Sequence, residues 1–450
     1  MRRSVLASFL ALMMAFSSAA VASGEEKNAY WTAALGAERW LSASAVKTPA
    51  GLTWPADPRD PKTVNETLYS GTPGVVLFYL EARAAAESRG LKTEAEAFLA
   101  KARAGAEELL SKLGEGRAGD VGLYSGIAGL GFALEETYKA TREVRFRDGF
   151  VRVLGAIRAG AKKAGAGVEW GTVTDIIGGT AGVGLFLLYA ASEMSDPSYR
   201  DLAASAGGRL LELGKPKNGG LDWPMDPSYP RWMPNFAHGT AGVAFFLARL
   251  YEETKRKDVL DAALAGGRYL LSIAKTEGNA CFIFHNEPDG KDLFYLGWCH
   301  GPVGTANLFY QLAKVTGDKS WFGWVEKEAH GLMDSGIPEK ETPGFWNNAG
   351  ICCGLAGVAD FFRSLYLLTN NTHHVYFGRR VMETLLAKAA AEDGRMKWIQ
   401  AEHRVRPELL LAQTGLMQGA AGIGLVLLRW DAMDNGRTPL VRLPDSAWPK

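Results

Sequence analysis

Trp298-Cys299-His300-Gly301-Pro302-Val303-Gly304 and, 53 residues on, Ile351-Cys352-Cys353-Gly354-Leu355-Ala356-Gly357 are two copies of one pattern, a G-x-x-G step preceded by thiols and followed by an apolar run. Five further copies lack cysteine. They read Ser70-Gly71-Thr72-Pro73-Gly74, Ser125-Gly126-Ile127-Ala128-Gly129, Gly178-Gly179-Thr180-Ala181-Gly182, His238-Gly239-Thr240-Ala241-Gly242 and Gln418-Gly419-Ala420-Ala421-Gly422. The first glycines are 55, 53, 60, 62, 53 and 65 residues apart, a period that fits two helices with elaborated loops.

The residues after each step, such as Val243-Ala244-Phe245-Phe246-Leu247-Ala248, are apolar on nearly all faces, as in a helix buried on all sides. Between steps lie amphipathic segments: Tyr30 to Ser44, Glu94 to Leu113, Arg142 to Lys163, Ser198 to Leu213, Asp258 to Ala274, Ser320 to Met333 and Val375 to Ala391. The expected fold is therefore all-α, with seven buried and seven amphipathic helices alternating. An open array needs polar caps at its ends. The last copy, Ile423-Gly424-Leu425-Val426-Leu427-Leu428, is as apolar as the rest. Closure follows: a single α/α toroid over residues 23–450, with seven inner and seven outer helices.

In a closed toroid, equivalent repeat positions form a ring. The position before the first glycine holds Ser70, Ser125, Gly178, His238, His300, Cys353 and Gln418, with Asp175, Cys299 and Cys352 just ahead. These groups are expected to converge at one mouth, near inner-helix N-termini, which lower thiol pKa values. Two loops echo each other, Gly51-Leu52-Thr53-Trp54-Pro55 and Gly220-Leu221-Asp222-Trp223-Pro224. With Phe345-Trp346-Asn347-Asn348 they read either as cleft lining or as rigid packed loops.

The seven steps, W-C-H-G and the later Cys-Cys-Gly resemble the lanthionine synthetase C-like family, which includes the lanthipeptide cyclases. The resemblance runs from about Tyr30 to Trp430. It implies zinc held by Cys299, Cys352 and Cys353, the last standing where the family usually has His. It also implies functional roles for His238 and Asp175, which fall in the matching repeats. Where several cyclases carry Arg shortly before the first zinc Cys, this chain has Tyr295 and Leu296.

Three thiolates with one open position form a catalytic type of zinc site. The expected chemistry is addition of a thiol to the β-carbon of a dehydroamino acid, in a peptide or a small molecule, with His238 as general acid, Asp175 orienting it and His300 as second acid/base or hydrogen-bond donor. Activation of water by the same metal stays open. His285, His330, His373, His374 and His403 fall outside the ring and read as surface or structural. A competing reading pairs Cys281 with Cys299 in a disulfide; the adjacent Cys352 and Cys353 would pair only with strain. Two rival functions are a carbohydrate-active toroid using Asp175, Asp222 or Asp226, in which the cysteines have no role, and a noncatalytic protein that keeps zinc for stability and binds peptide.

The chain has 450 residues, 47% apolar, and a formal charge of +1, with no basic stripe to mark a nucleic-acid partner. Residues 1–22 read as a signal peptide: Arg2 and Arg3, an apolar stretch from Val5 to Phe16, and Ala20-Val21-Ala22. That stretch is short of the roughly 20 residues of a membrane span. The expected location is outside the cytoplasm, periplasmic or secreted.

Overall fold

The computed structural model describes residues 28–114, 120–228 and 231–449; the expected signal peptide lies outside them. Among the described residues the chain forms fourteen α-helices. The inner set is α2 (Thr72–Ser88), α4 (Ile127–Thr141), α6 (Thr180–Met194), α8 (Thr240–Thr254), α10 (Pro302–Thr316), α12 (Leu355–Thr369) and α14 (Ala420–Asp434). The outer set is α1 (28–44), α3 (Lys92–Lys112), α5 (Val144–Gly160), α7 (Pro197–Leu213), α9 (Lys257–Ile273), α11 (Lys319–Asp334) and α13 (Thr372–Ala387). Each inner helix packs on its neighbours in sequence, and α14 packs on α2, so the inner wall closes.

Burial follows the sequence pattern. In α8 every residue from Thr240 to Ala248 is buried, whereas in α9 Val259, Ala262, Ala263, Gly266, Gly267 and Leu270 form one apolar stripe against the inner wall. Arg142, Ser195, Lys255, Gly317 and Asn370 adopt left-handed backbone just past inner helices, which turns the chain back into the outer helix.

Both glycines of the step are fixed by close approach. A Cβ on Gly301 would collide with the Tyr295 carbonyl, and one on Gly304 with the Trp298 carbonyl, each six residues upstream. The loop ahead of each inner helix is thus folded tightly over its first turn. Leu355 and Ala356 N–H donate to the Asn348 and Ala349 carbonyls, and Ala420 and Ala421 N–H to those of Gln413 and Thr414. The first-turn donors are therefore spent on the loops.

The loops themselves form a ring. Tyr69 N–H donates to the Tyr124 carbonyl, Tyr124 to Ile177, Ile176 to Ala237, Ala237 to Cys299, Cys299 to Cys352, Cys352 to Met417, and Met417 back to Tyr69, at 2.9–3.3 Å. Seven inter-repeat hydrogen bonds thus run once around the mouth and fix where the next side chain in each repeat stands.

The outer helices carry short antiparallel hairpins that helical periodicity does not show: β1 (Val46–Lys47) with β2 (Leu52–Thr53), β3 (Lys162–Ala164) with β4 (Gly167–Glu169), and β7 (Lys275–Glu277) with β8 (Ala280–Phe282). β5 (Lys215–Lys217) pairs with β6 (Gly220–Asp222) across Asn218-Gly219, and β9 (Ala389–Glu392) with β10 (Arg395–Trp398) across Asp393-Gly394. Both turn residues have positive φ in each case. The β3–β4 and β9–β10 hairpins end the segments predicted to run to Lys163 and Ala391. The hairpins also settle the tryptophan loops: Trp54, Trp170, Trp223 and Trp398 donate indole N–H to the carbonyls of Leu41, Ile157, Leu210 and Leu385, always 13 residues back. Trp54 and Trp223 are fully buried caps of outer helices, not cleft lining.

Residues 437–449 lie across the bore, against points midway along the inner helices. Glu81 accepts from the Leu440 and Val441 N–H groups and from Arg437, the Tyr124 hydroxyl donates to Asp445, and Trp448 stacks on Tyr310 at 4.9 Å. No helix among the described residues is long and apolar enough to cross a membrane.

Candidate metal centre and thiol site

Cys299 and Cys352 are successive members of the backbone ring, and Cys353 follows at the next position. Their sulfur atoms lie within 4.8 Å of one another. Cys299 Sγ is 3.1 Å from Cys353 Sγ, and Cys353 Sγ is 3.5 Å from Cys352 Sγ. All are buried and free. Cys281 is also free, its thiol buried near Glu328 and pushed well up by burial, so the disulfide to Cys299 is not formed.

Three buried thiols cannot all ionise unaided. Hydrogen bonds from Cys299 and Cys353 hold Cys352 well below the ordinary thiol range. Burial first, then those same hydrogen bonds, push Cys299 well up. A cation among the sulfurs would relieve this mutual opposition and favour release of the thiol protons. Three sulfurs around tetrahedral zinc, each at about 2.3 Å, stand about 3.8 Å apart, a small expansion of what is seen. The donor set fits a thiophilic divalent ion.

His238 enters the mouth from the neighbouring repeat. Its Nδ1 is 2.6 Å from Asp175 Oδ2. The other carboxylate oxygen, Oδ1, accepts from the Gly178 and Gly179 N–H groups at 2.9 and 3.0 Å. The carboxylate is pinned by backbone and aims the imidazole, leaving Nε2 for the pocket. Burial pulls the His238 pKa down, but the hydrogen bond and charge of Asp175, with Cys352 behind, outweigh it and hold it above its ordinary value.

A pocket of about 230 Å³ opens from the thiols to solvent. Its wall is aromatic. His300 lies 4.3 Å from the His285 ring and 5.5 Å from His238, and Tyr295 lies 5.1 Å from Trp346. His300 is kept well below its ordinary pKa by burial and by the two other imidazoles, and its Nδ1 has no protein partner. His285 is lowered by burial despite its bond to Asn286. The mouth thus sets one imidazole favoured as cation beside two favoured as neutral rings.

The sequence-predicted residues Cys299, Cys352, Cys353, His238, Asp175 and His300 are all brought together. His285 and His403, read as lying outside, also line the pocket. So does Arg404, from the loop between β11 (Gln400–Ala401) and β12 (Leu410–Leu411), whose Nε donates to Tyr295 Oη at 3.3 Å. A guanidinium therefore reaches the site from a distant loop. His330, His373 and His374 stay away from it, His374 bonding Thr369 and Glu326 instead. Asp222 is buried against Thr240 and Lys217, and Asp226 caps Ser228, so neither reaches the mouth.

The sequence profile described as "Lanthionine synthetase C-like protein" matches residues 62–443. The chain belongs to the lanthionine synthetase C-like family. The solved structure of nisin cyclase superposes with a TM-score of 0.63 at 18% identity, covering 91% of this chain and 95% of the cyclase. That likeness shows the shared toroid. The zebrafish (Danio rerio) protein "Glutathione S-transferase LANCL1" is 25% identical over 140 residues, about a third of each chain.

Proposed function

We propose that this lanthionine synthetase C-like protein is an exported, zinc-dependent enzyme that adds a thiol to a dehydroamino acid to form a thioether. One observation carries the reading: three free, buried thiols at adjacent ring positions, opening into the pocket that His238 enters on its Asp175 support.

Cys299, Cys352 and Cys353 would hold the ion. Bound zinc would take the substrate thiol as a fourth ligand in deprotonated, nucleophilic form. The chain supplies the rest. The aromatic wall of His285, Tyr295, His300 and Trp346 offers flat faces against which the dehydroamino acid can lie. As the sulfur–carbon bond forms at Cβ, the π pair moves to Cα and its carbonyl, and His238 Nε2 delivers a proton to Cα. Asp175 stabilises the imidazolium before that step and fixes the tautomer after it. Net addition of R–S–H across the double bond balances, because His238 recovers the proton given up by the thiol. His300, neutral and lacking a protein partner at Nδ1, is available to a carbonyl or water at the site.

The nucleophile is a peptide cysteine or a small thiol. Nisin cyclase, sharing the toroid, supports the peptide; the name of the zebrafish relative supports the small thiol. Residues 1–22 support export.

The test is zinc per chain in protein purified from its native compartment, followed by mass spectrometry after incubation with a dehydroalanine peptide. One arm uses a peptide with an internal cysteine and the other adds glutathione. About one zinc and a thioether product are expected; a metal-free protein with its cysteines paired would overturn the reading.

A further inference from the structure

Beneath the three sulfurs lies a buried polar network with no part in the proton transfer described above. Its hydrogen-bond directions are fixed from one end by backbone. Asn348 Oδ1 accepts from Gly350 N–H at 2.9 Å, so Asn348 Nδ2 must donate. It does so to the Ala401 carbonyl at 3.1 Å and to Gln418 Oε1 at 2.9 Å. That leaves Gln418 Nε2 as a donor, 3.2 Å from Tyr69 Oη and 3.9 Å from Cys353 Sγ. The Tyr69 hydroxyl accepts from Gln418, so its own proton is free to be given, and Tyr69 lines the thiol pocket together with Cys352 and Cys353. Gln418 is 2% exposed, and its amide is held between Asn348 on its oxygen and Tyr69 on its nitrogen.

The direction of this relay matters because of charge. Three thiolates and one divalent cation leave one negative charge in excess, in a site walled by protein. A buried charge needs hydrogen bonds to offset its lost hydration. One donor, Gln418 Nε2, is aimed at a sulfur, and a second, the Tyr69 hydroxyl from another repeat, stands in the same pocket with its proton free.

We propose that Tyr69 and Gln418 are positioning residues for the metal centre, donating hydrogen bonds to the sulfurs of Cys352 and Cys353 that offset the excess charge of a three-thiolate site and tune its sulfur ligands. The inference rests on the zinc reading above. Hydrogen-bond partners of this kind are worth about 10–100-fold in metal affinity where they support other metal ligands. Tyr69→Phe removes the hydroxyl alone and leaves the ring backbone and the aromatic body in place. Gln418→Glu replaces the donor by a carboxylate facing thiolates.

The experiment equilibrates the unsubstituted protein and each variant with Zn²⁺ against a competing chelator. It also records the sulfur-to-metal charge-transfer band after Co²⁺ substitution. Zinc binding about 10–100-fold weaker in Tyr69→Phe, with the cobalt band moved to longer wavelength because the sulfur lone pairs rise in energy, is the expected result. Gln418→Glu should be weaker still. Affinity unchanged within threefold and an unmoved band in both variants would overturn this inference while leaving the zinc site standing. Failure of the unsubstituted protein to take up either metal would overturn both. The circular-dichroism melt of each metal-free variant shows whether a loss is one of fold; the cobalt band of whichever variant folds decides the matter.

Discussion

Asp445 offers a sharp test of how residues 437–449 are held in the bore. Its carboxylate is 3% exposed, with the Tyr124 hydroxyl 3.0–3.1 Å away. Burial pushes its pKa up from 3.8 to about 6, against smaller opposing effects of the Tyr124 and backbone hydrogen bonds and of Arg429 and Arg249. Those two arginines are engaged elsewhere, Arg429 with Asp360 and Arg249 with Glu252 and the Ser446 carbonyl. An acid with a raised folded pKa binds its proton more tightly folded than unfolded. Stability must then fall as pH rises through the window from about 4 to 6, and the full cost, about 3 kcal/mol, is carried by pH 7. Asp445→Asn keeps a carbonyl to accept from Tyr124 and removes the titration. Urea unfolding of both proteins at pH 4, 5, 6 and 7 gives the difference directly. The variant should gain on the parent by about 2–3 kcal/mol between pH 4 and pH 7, most of it before pH 6. A difference that stays flat across the window, or shrinks, refutes the account of a charge buried without an ionic partner.

Other outcomes follow from the site and the packing. His238→Ala should slow thioether formation by roughly 10²–10⁴-fold with zinc content unchanged, measured by product mass and metal analysis; an unaffected rate would remove His238 from the mechanism. Cys299→Ala and Cys353→Ala should each lower zinc below one per chain and lower the melting temperature of the metal-loaded protein; full zinc retention in either would exclude that thiol as a ligand. Trp223→Ala empties a fully buried site and removes one of the two donors to the Leu210 carbonyl, leaving the Gly214 N–H, so urea unfolding should show a loss of about 3–5 kcal/mol with little change in the zinc content of the folded fraction.

The toroid was legible because each step marks the same place in each repeat. The positions of the glycines are dictated by upstream carbonyls that leave no room for a Cβ, or at Gly74 by Leu416 of the last repeat, so the pattern records geometry directly. The six predicted site residues came together for the same reason. Periodicity was blind to the hairpins, whose strands are too short to alternate, although Asn218-Gly219 and Asp393-Gly394 carried the turn signal. His285 and Arg404 escaped because they stand on loops whose path is set by tertiary packing, His285 by its backbone pairing with Leu293 and Arg404 by the β11–β12 hairpin. Tyr69 escaped because it precedes a cysteine-free step, and its neighbour across the ring closure is 349 residues away.

The ring of backbone hydrogen bonds makes the mouth lopsided. It links seven seats in repeat order and is indifferent to what sits in them. His238, His300, Cys353 and Gln418 fill one continuous arc, while Ser70, Ser125 and Gly178 fill the rest, with Gly178 so close to Ser125 that an added Cβ would come within 3.0 Å of its hydroxyl. One rim is a tall, reactive parapet and the other a low sill. The thiols and the imidazole therefore stand together on one side of the mouth, so the order of the repeats gives the opening a handedness as well as a chemistry.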